Sequence, residues 1–298
     1  MEYHNPVLLE ESVDGLNIKP DGVYVDVTFG GGGHSREILN RLGENGKLYA
    51  FDQDTDALQN KINDPRFTLI NENFRFIKRF LRFYGVKKVD GILGDFGVSS
   101  HQFNEAERGF STRFNAKLDM RMDQKSALSA YQVINEYEEE QLKSLFYQYA
   151  DLKNAPKLAR IIAEERKNGP IENSENLNEL LKPHLFKGKE NKILAQIYQA
   201  IRIEVNQELE VLKEFLLQTE DMLEKNGRIS LISYHSLEDR LVKRYIRSGL
   251  FEGEPEKDFY GNISVPFKKV GRLIVPTQKE ISENNRARSA KLRIAKKL

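Results

Sequence analysis

The chain has 298 residues, 39% hydrophobic and 31% charged, enough for one large domain with an insertion, or for two domains, with a sizeable buried core. It contains no cysteine, which excludes disulfides, thiolate metal sites and cysteine nucleophiles together. No run of about 18 apolar residues occurs, which excludes a helical membrane span. Net charge is +1, but residues 1–224 carry −8 and residues 225–298 carry +9; such a basic quarter either meets a polyanion or serves as a solvated surface.

The opening MEYHNPVLLEESVDGL holds early acids and no basic n-region, so a secretory signal is not expected and a cytoplasmic protein is the simplest reading. After it, VYVDVTF (23–29), KLYAFD (47–52), FTLI (67–70) and VDGILGDFGV (89–98) are rich in β-branched and aromatic residues. SREILNRLG, TDALQNKIN and FRFIKRFLRFYG between them place apolar residues at helical spacing. Strands alternating with helices of this length predict βαβ units, hence a parallel sheet with helices on both faces. From residue 127 to 224 the pattern is helical throughout. It closes on NKILAQIYQAIRIEVNQELEVLKEFLLQTEDMLEKNG, for which Gly227 is a plausible C′ residue. GRISLISYHS (227–236) returns to strand, LEDRLVKRYIRSG to helix, and GRLIVP (271–276) and AKLRIAKK (290–297) read as final strands. The expected fold class is α/β, a Rossmann-like sheet formed by residues 1–103 and 206–298, with an all-helical domain, 104–205, inserted after the fourth strand.

Four consecutive glycines, Gly30 to Gly33, join the first strand to a helix. Glycine-rich turns here let backbone N–H groups approach a ligand while the helix N-terminus adds positive potential. A nucleoside triphosphate loop would need Gly-Lys-Ser/Thr, but His34 and Ser35 follow Gly33. A dinucleotide fingerprint fits only with Ser35 in place of its last glycine. Asp26-x-Thr28-x-Gly30-x-Gly32 fits a third pattern, the first motif of the class I S-adenosylmethionine-dependent methyltransferases. Asp52, ending the second strand, can accept hydrogen bonds from ribose hydroxyls under either cofactor reading. Asp52–Asp56 lacks the glycine and glutamate of a calcium loop and reads as a helix cap on Asp54 or Thr55.

Ligands of such sheets sit at the carboxyl ends of strands. GDFGVSSHQF and SYHSLEDR therefore bring Asp95, Ser99, Ser100, Gln102, Ser233, Tyr234, His235 and Ser236 toward one rim. No G-x-S-x-G elbow precedes a serine, so a hydrolase triad is not supported. No H-E-x-x-H occurs and the five histidines are scattered, so no metal site is expected.

NPVLLEE, DVTFGGGGHS, DGIL-DFGVSS, ERGFS, LDMRMD, QAIRIEVNQEL, ISYHSLEDR and RARSAKLRI occur in this order between residue 5 and about residue 296. Together they resemble the bacterial 16S ribosomal RNA cytosine-N4 methyltransferases, which modify a cytidine in the decoding centre of the small subunit. The resemblance implies S-adenosyl-L-methionine as methyl donor, held by Gly32, Gly33, His34, Asp52, Phe74, Asp95 and Gln102, with Phe74 against the adenine. It also implies 16S rRNA, within the small ribosomal subunit, as substrate, and a helical insert that recognises RNA. Asp95, Ser233 and His235 are the catalytic candidates. Lys243, Arg244, Arg247, Arg286, Arg288 and Lys291, with Arg293 beside them, are the candidate phosphate contacts.

The chain departs from the family pattern at Gly94, where a larger apolar residue is usual and whose small size predicts a loosened fourth strand. It also lacks the family's Gly-Glu-Glu segment within YADLKNAPKLARII and the proline before the arginine in NNRARS. Two other classes share some features. A nicotinamide-dependent oxidoreductase would use the glycine loop and Asp52 but leave SYHSLEDR unexplained. A non-catalytic RNA-binding or ribosome-assembly protein would use the basic tail but not the donor pocket.

Overall fold

The computed structural model describes residues 6–257, 259–261 and 263–298, apart from the side chains of Ser100 and Asn104; Asn5 of the NPVLLEE block lies outside the described residues. The apolar, β-branched runs form β1 (Val23–Asp26), β2 (Lys47–Phe51), β3 (Phe67–Ile70), β4 (Val89–Asp95), β5 (Leu223–Ser233), β6 (Phe267–Ile274) and β7 (Lys291–Lys297). They make one seven-stranded sheet in the order β3-β2-β1-β4-β5-β7-β6. The first five strands are parallel. β7 returns antiparallel to β5, and β6 pairs antiparallel with β7, which corrects the expectation of a wholly parallel sheet.

The helices are α1 (Leu9–Leu16), α2 (Gly33–Arg41), α3 (Ile77–Phe83), α4 (Ser100–Asn104), α5 (Ala130–Glu136), α6 (Glu139–Ala150), α7 (Ala155–Glu165), α8 (Ser174–Leu181), α9 (Glu190–Asn206), α10 (Glu208–Met222), α11 (Ser236–Ser248) and α12 (Gln278–Glu283). The chain divides into two compact units, one running to Gly97 and resuming at Leu209, the other spanning Val98–Glu208. No helix among the described residues is long and apolar enough to cross a membrane.

In the sheet unit, apolar side chains cover both faces. On one face Phe51, Ile77, Phe96, Phe215 and Tyr245 form a continuous cluster with α3, α10 and α11. On the other, Val13, Leu16, Ile38, Leu39 and Leu93 pack beneath α1 and α2. Strands buried on two sides read as near-continuous hydrophobic runs, which is why they are visible in the sequence. In the helical unit, Leu142, Phe146, Leu158, Ile162, Ile197 and Ile201 make a separate core. There Asn206 clamps the LDMRMD segment, accepting from Met122 N (2.7 Å) and donating to the Met120 carbonyl (2.8 Å).

The long amphipathic run is two helices. Gln207, between α9 and α10, takes a left-handed conformation with φ 50°. Gly227 is accordingly no helix cap but lies inside β5, which begins at Leu223. A Cβ there would come 2.9 Å from the Glu224 carbonyl oxygen and 3.0 Å from that of Asp90. Gly94 does not loosen β4, which stays in register with β5 through Gly94↔Leu231. Its missing side chain leaves room for the Phe96 ring, which a Cβ would approach to 2.9 Å.

Because backbone rather than a flexible side chain fills the space at Gly227, Gly227→Ala is expected to lower stability by ~1–3 kcal/mol, read as a lower midpoint in thermal or urea unfolding. An unchanged midpoint would show that the β4–β5 junction can yield.

Candidate active site

The carboxyl ends of β1, β2, β4 and β5 build one rim of the sheet unit. Asp26, the last residue of β1, is fully buried. Its Oδ1 accepts from Thr28 N (3.0 Å) and its Oδ2 from the Ser35 hydroxyl (2.7 Å), tying the strand end to the first turn of α2. Burial pushes the Asp26 carboxyl up, opposed by nearby His34 and these donors. Thr28 Oγ1 accepts from Asp95 N (2.7 Å), so the same turn fixes the end of β4.

Gly30 and Gly32 have φ of 50° and 76°, a left-handed geometry that favours glycine. Gly32 precedes α2 with no side-chain cap, leaving first-turn N–H groups without an intrahelical acceptor. Gly33 serves a packing need as well, since a Cβ there would fall 2.1 Å from Pro6 Cγ. Asp52 is half-buried and braces the loop: Oδ2 accepts from Gly30 N (2.8 Å) and Oδ1 from Asp54 N (2.9 Å). Burial raises its carboxyl to about 6, against the pull of those two N–H groups. Asp54 then caps the 3₁₀ turn Thr55–Asn60 through Asp56 N, as its cluster of acids suggested. Phe74 opens the turn after β3, half-buried, with its ring 5.8 Å from Phe96 and edge-on to Phe215 at 5.4 Å.

At the other end of the rim, Asp95 Oδ1 accepts the Tyr234 hydroxyl (2.7 Å). A Cβ on Gly97 would lie 3.0 Å from the Tyr234 ring, so a glycine there admits the phenol. Burial holds the Asp95 carboxyl above its usual range, helped by the like charges of Asp26 and Glu238 and opposed by His34 and the Tyr234 hydroxyl. The Tyr234 phenol is pushed far up by burial and by Asp95 and stays a donor. Buried Glu238 accepts from Tyr234 N (2.9 Å) and His235 N (3.3 Å), closing a capping box at the start of α11. His235 Nδ1 takes the Glu238 N–H (3.4 Å), and its Nε2 makes a close contact of 3.1 Å with Glu238 Oε1 that is not aligned as a hydrogen bond.

The structure thus brings Gly32, Gly33, His34, Asp52, Phe74, Asp95, Ser233 and His235 to one unit. Ser233 is buried as the last residue of β5. The His34 ring faces the Val7 carbonyl (3.1 Å), so its side chain braces the N-terminal segment. Gln102 belongs to the helical unit, where its Oε1 accepts from Ser99 N (3.1 Å) in the capping box of α4. Tyr234, which the sequence brought to this rim without a role, and Glu238, which it did not name, complete the rim; the HSLE spacing is a capping-box signal that could have pointed to Glu238.

The basic candidates separate. Arg244 donates to the Gly253 carbonyl. Lys291 lies 3.6 Å from Asp239, which Arg293 grips bidentately at 2.7 and 3.1 Å. These three cations thus have partners within the chain, with the Lys291 side chain still 39% exposed. Lys243, Arg247 and Arg288 are exposed, and Arg286 is half-buried on the turn Asn285–Ser289.

Four carboxylates, Asp26, Asp52, Asp95 and Glu238, therefore share this rim. A sulfonium cation suits that field, whereas a pyrophosphate on the loop would meet Asp52 already bound to Gly30 N–H. Sheet order, glycine turn and acid-ended β2 together define a class I methyltransferase domain. The model of the MraW methylase family matches residues 1–298, and the chain belongs to that family. Among curated relatives, a protein of Christiangramia forsetii named ribosomal RNA small subunit methyltransferase H is 83% identical over 298 residues, covering 100% of this chain and 99% of that one. Proteins of the same name from Flavobacterium johnsoniae and from Bacteroides fragilis strain ATCC 25285 are 70% and 54% identical, covering 100% and 99% of this chain and 99% and 97% of theirs.

If only ionised Asp52 receives the donor's ribose, the apparent Kd for S-adenosylmethionine is expected to rise as pH falls through about 6, approaching ~10-fold per unit below it. Asp52→Asn is expected to bind weakly at neutral pH and to flatten that dependence. Calorimetric titration across pH checks both, and a flat wild-type profile would remove Asp52 from donor binding.

Proposed function

We propose that the protein transfers a methyl group from S-adenosyl-L-methionine to the exocyclic N4 amine of a cytidine in 16S rRNA, the modification described as m4C1402. The observation that carries the reading is the acidic rim around a glycine turn, on a chain alike over its full length to rRNA methyltransferases. Of the residues named for the donor, those of the sheet unit suit it chemically. The uncapped N-terminus of α2 and Gly32 offer backbone N–H groups, Asp52 offers ribose acceptors, and Phe74 offers an apolar wall. When bound, the donor supplies a methyl group already activated by the sulfonium charge.

What remains for the chain is to make a poor nucleophile attack. The N4 lone pair of cytosine is delocalised into its ring, and hydrogen-bond acceptors on the amine N–H groups localise it. Asp95 is placed for that role. Its raised pKa makes it a better proton acceptor than a solvated carboxylate, and Tyr234, bound to one of its oxygens, fixes its direction. The Glu238–His235 capping box holds the Tyr234 backbone, so His235 acts here as a positioning residue. Rate then comes from orientation and a preorganised field, and no covalent nucleophile is required.

A base inside a stacked helix cannot reach such a rim, so the target must be splayed or flipped. We assign RNA recognition to the helical unit, and further phosphate contacts to the sheet unit's exposed Lys243, Arg247 and Arg288 and to its Arg286. The acceptor is then rRNA within the small subunit.

The test is transfer of labelled methyl from S-adenosylmethionine to unmodified small subunits and, separately, to free 16S rRNA, followed by nucleoside analysis. Label in N4-methylcytidine is expected, with the assembled subunit the better acceptor; donor binding without any label in either RNA would reject the substrate. Asp95→Ala is expected to lower turnover by ~100-fold or more, and near-normal turnover would take Asp95 off the catalytic list.

A further inference from the structure

The FRFIKRFLRFYG segment carries a density of aromatic and cationic groups that the donor pocket does not use. The structure divides them into two sets. Toward the protein, Ile77 and Leu81 are buried and Phe80 is half-buried. Arg75 pairs bidentately with Glu214, and Lys78 with Asp221, both on α10. Toward solvent, Phe76 and Phe83 are 42% and 82% exposed, with Arg79, Arg82 and Lys87 exposed beside them.

Phe76 is exposed on the turn that leads into α3, and Arg79 and Phe83 fall at i and i+4 of that helix and share one outward face. Arg82 flanks it one position before Phe83, and Tyr84 packs edge-on to Phe83 at 5.3 Å. The Arg75 guanidinium lies 5.8 Å from the Phe76 ring and that of Arg79 5.8 Å from the Phe80 ring.

Such a stripe works against the fold when nothing covers it. Two arginines three residues apart repel on a short helix, and burying Phe83 elsewhere would gain free energy. The occupant that satisfies both halves together is a polyanion with flat apolar faces. Its phosphates answer Arg79, Arg82 and Lys87, and its unstacked bases lie on Phe76 and Phe83. An acidic protein segment would answer only the charges, and an apolar partner only the rings.

We propose that this outward stripe of α3 is a second RNA contact of the protein, a sequence-tolerant platform for single-stranded rRNA distinct from the base-accepting rim. The proposal rests on the rRNA methyltransferase reading. It deepens that reading by adding affinity for the substrate without touching the chemistry. Loss of the stripe therefore acts on KM and on RNA affinity, while kcat and donor affinity stay put.

The experiment compares wild type with Arg79→Glu/Arg82→Glu, with Phe83→Ala and with a charge-matched control, Lys47→Glu/Lys225→Glu. Binding to single-stranded 16S rRNA fragments is measured by fluorescence anisotropy over a salt series, and methyl transfer to small subunits is measured alongside. The expected result is at least ~10-fold weaker RNA binding for the double arginine variant. Its slope of log affinity against log salt is expected to be shallower by about 1.4, two phosphate contacts at about 0.7 each for single strands. Phe83→Ala is expected to weaken binding ~5-fold or more with the slope unchanged, and kcat at saturating subunits to hold in both. RNA affinity and KM unchanged in both variants would overturn the proposal, and so would an equal loss in the lysine control. Binding of anionic vesicles or an acidic peptide to wild type but not the arginine variant, with RNA binding intact, would also overturn it by naming another occupant. If wild type binds RNA through this stripe yet methylates neither rRNA substrate, the platform stands and the proposed reaction falls.

Discussion

The rim depends on one buried carboxylate. Asp26 has no solvent; among the described residues the Thr28 N–H and the Ser35 hydroxyl bond to its carboxylate, with His34 nearby. Removing a buried charge from water is costly unless its lone pairs are satisfied, and here the two donors come from the turn and helix that must be placed. Thr28 in turn orients the end of β4 through Asp95 N. Strand end, glycine turn, helix start and the Asp95 carboxylate are thus set by one local network. A protonated or amidated Asp26 would disturb donor site and acceptor together.

The same acid begins an electrostatic gradient. Asp26 and Glu238 both raise the Asp95 carboxyl, and Asp26 and Asp54 raise that of Asp52. A pocket that crowds carboxylates stabilises a cationic donor more than the neutral thioether left after transfer. Product release is favoured by the same field that binds the substrate, at the expense of an Asp52 carboxyl raised to about 6 by burial.

Much of the scaffold could be read from the sequence, because two-sided burial makes β1 to β5 near-continuous apolar runs and because glycine and acid spacings are local. What was not legible is non-local or handed. Nothing in GRLIVP or AKLRIAKK encodes strand direction, so the antiparallel return of β7 and β6 is visible only in the pairing. Gln207 breaks the long helix in a left-handed conformation with no glycine to signal it. The Tyr234–Asp95 bond joins residues 139 positions apart. The partners of Arg244 and Lys291, the Gly253 carbonyl and Asp239, are likewise defined only by the fold.

An acidic pocket and a polyanionic substrate conflict, and the distribution of charge shows how the chain accommodates both. Phosphates brought to Asp52 or Asp95 would be repelled, so the nucleic acid can present only a neutral base to the rim while its backbone stays outside. Cations useful for that backbone must then lie beyond the carboxylates rather than among them. Those near acids are consumed structurally, as Arg293 and Lys291 are by Asp239, Arg75 by Glu214 and Lys78 by Asp221. Lys243, Arg247, Arg288, Arg79 and Arg82 remain exposed on outer surfaces of the sheet unit. On the proposed reading, a net charge of +1 conceals a separation, with acid where the sulfonium and the amine meet and base where the strand is held.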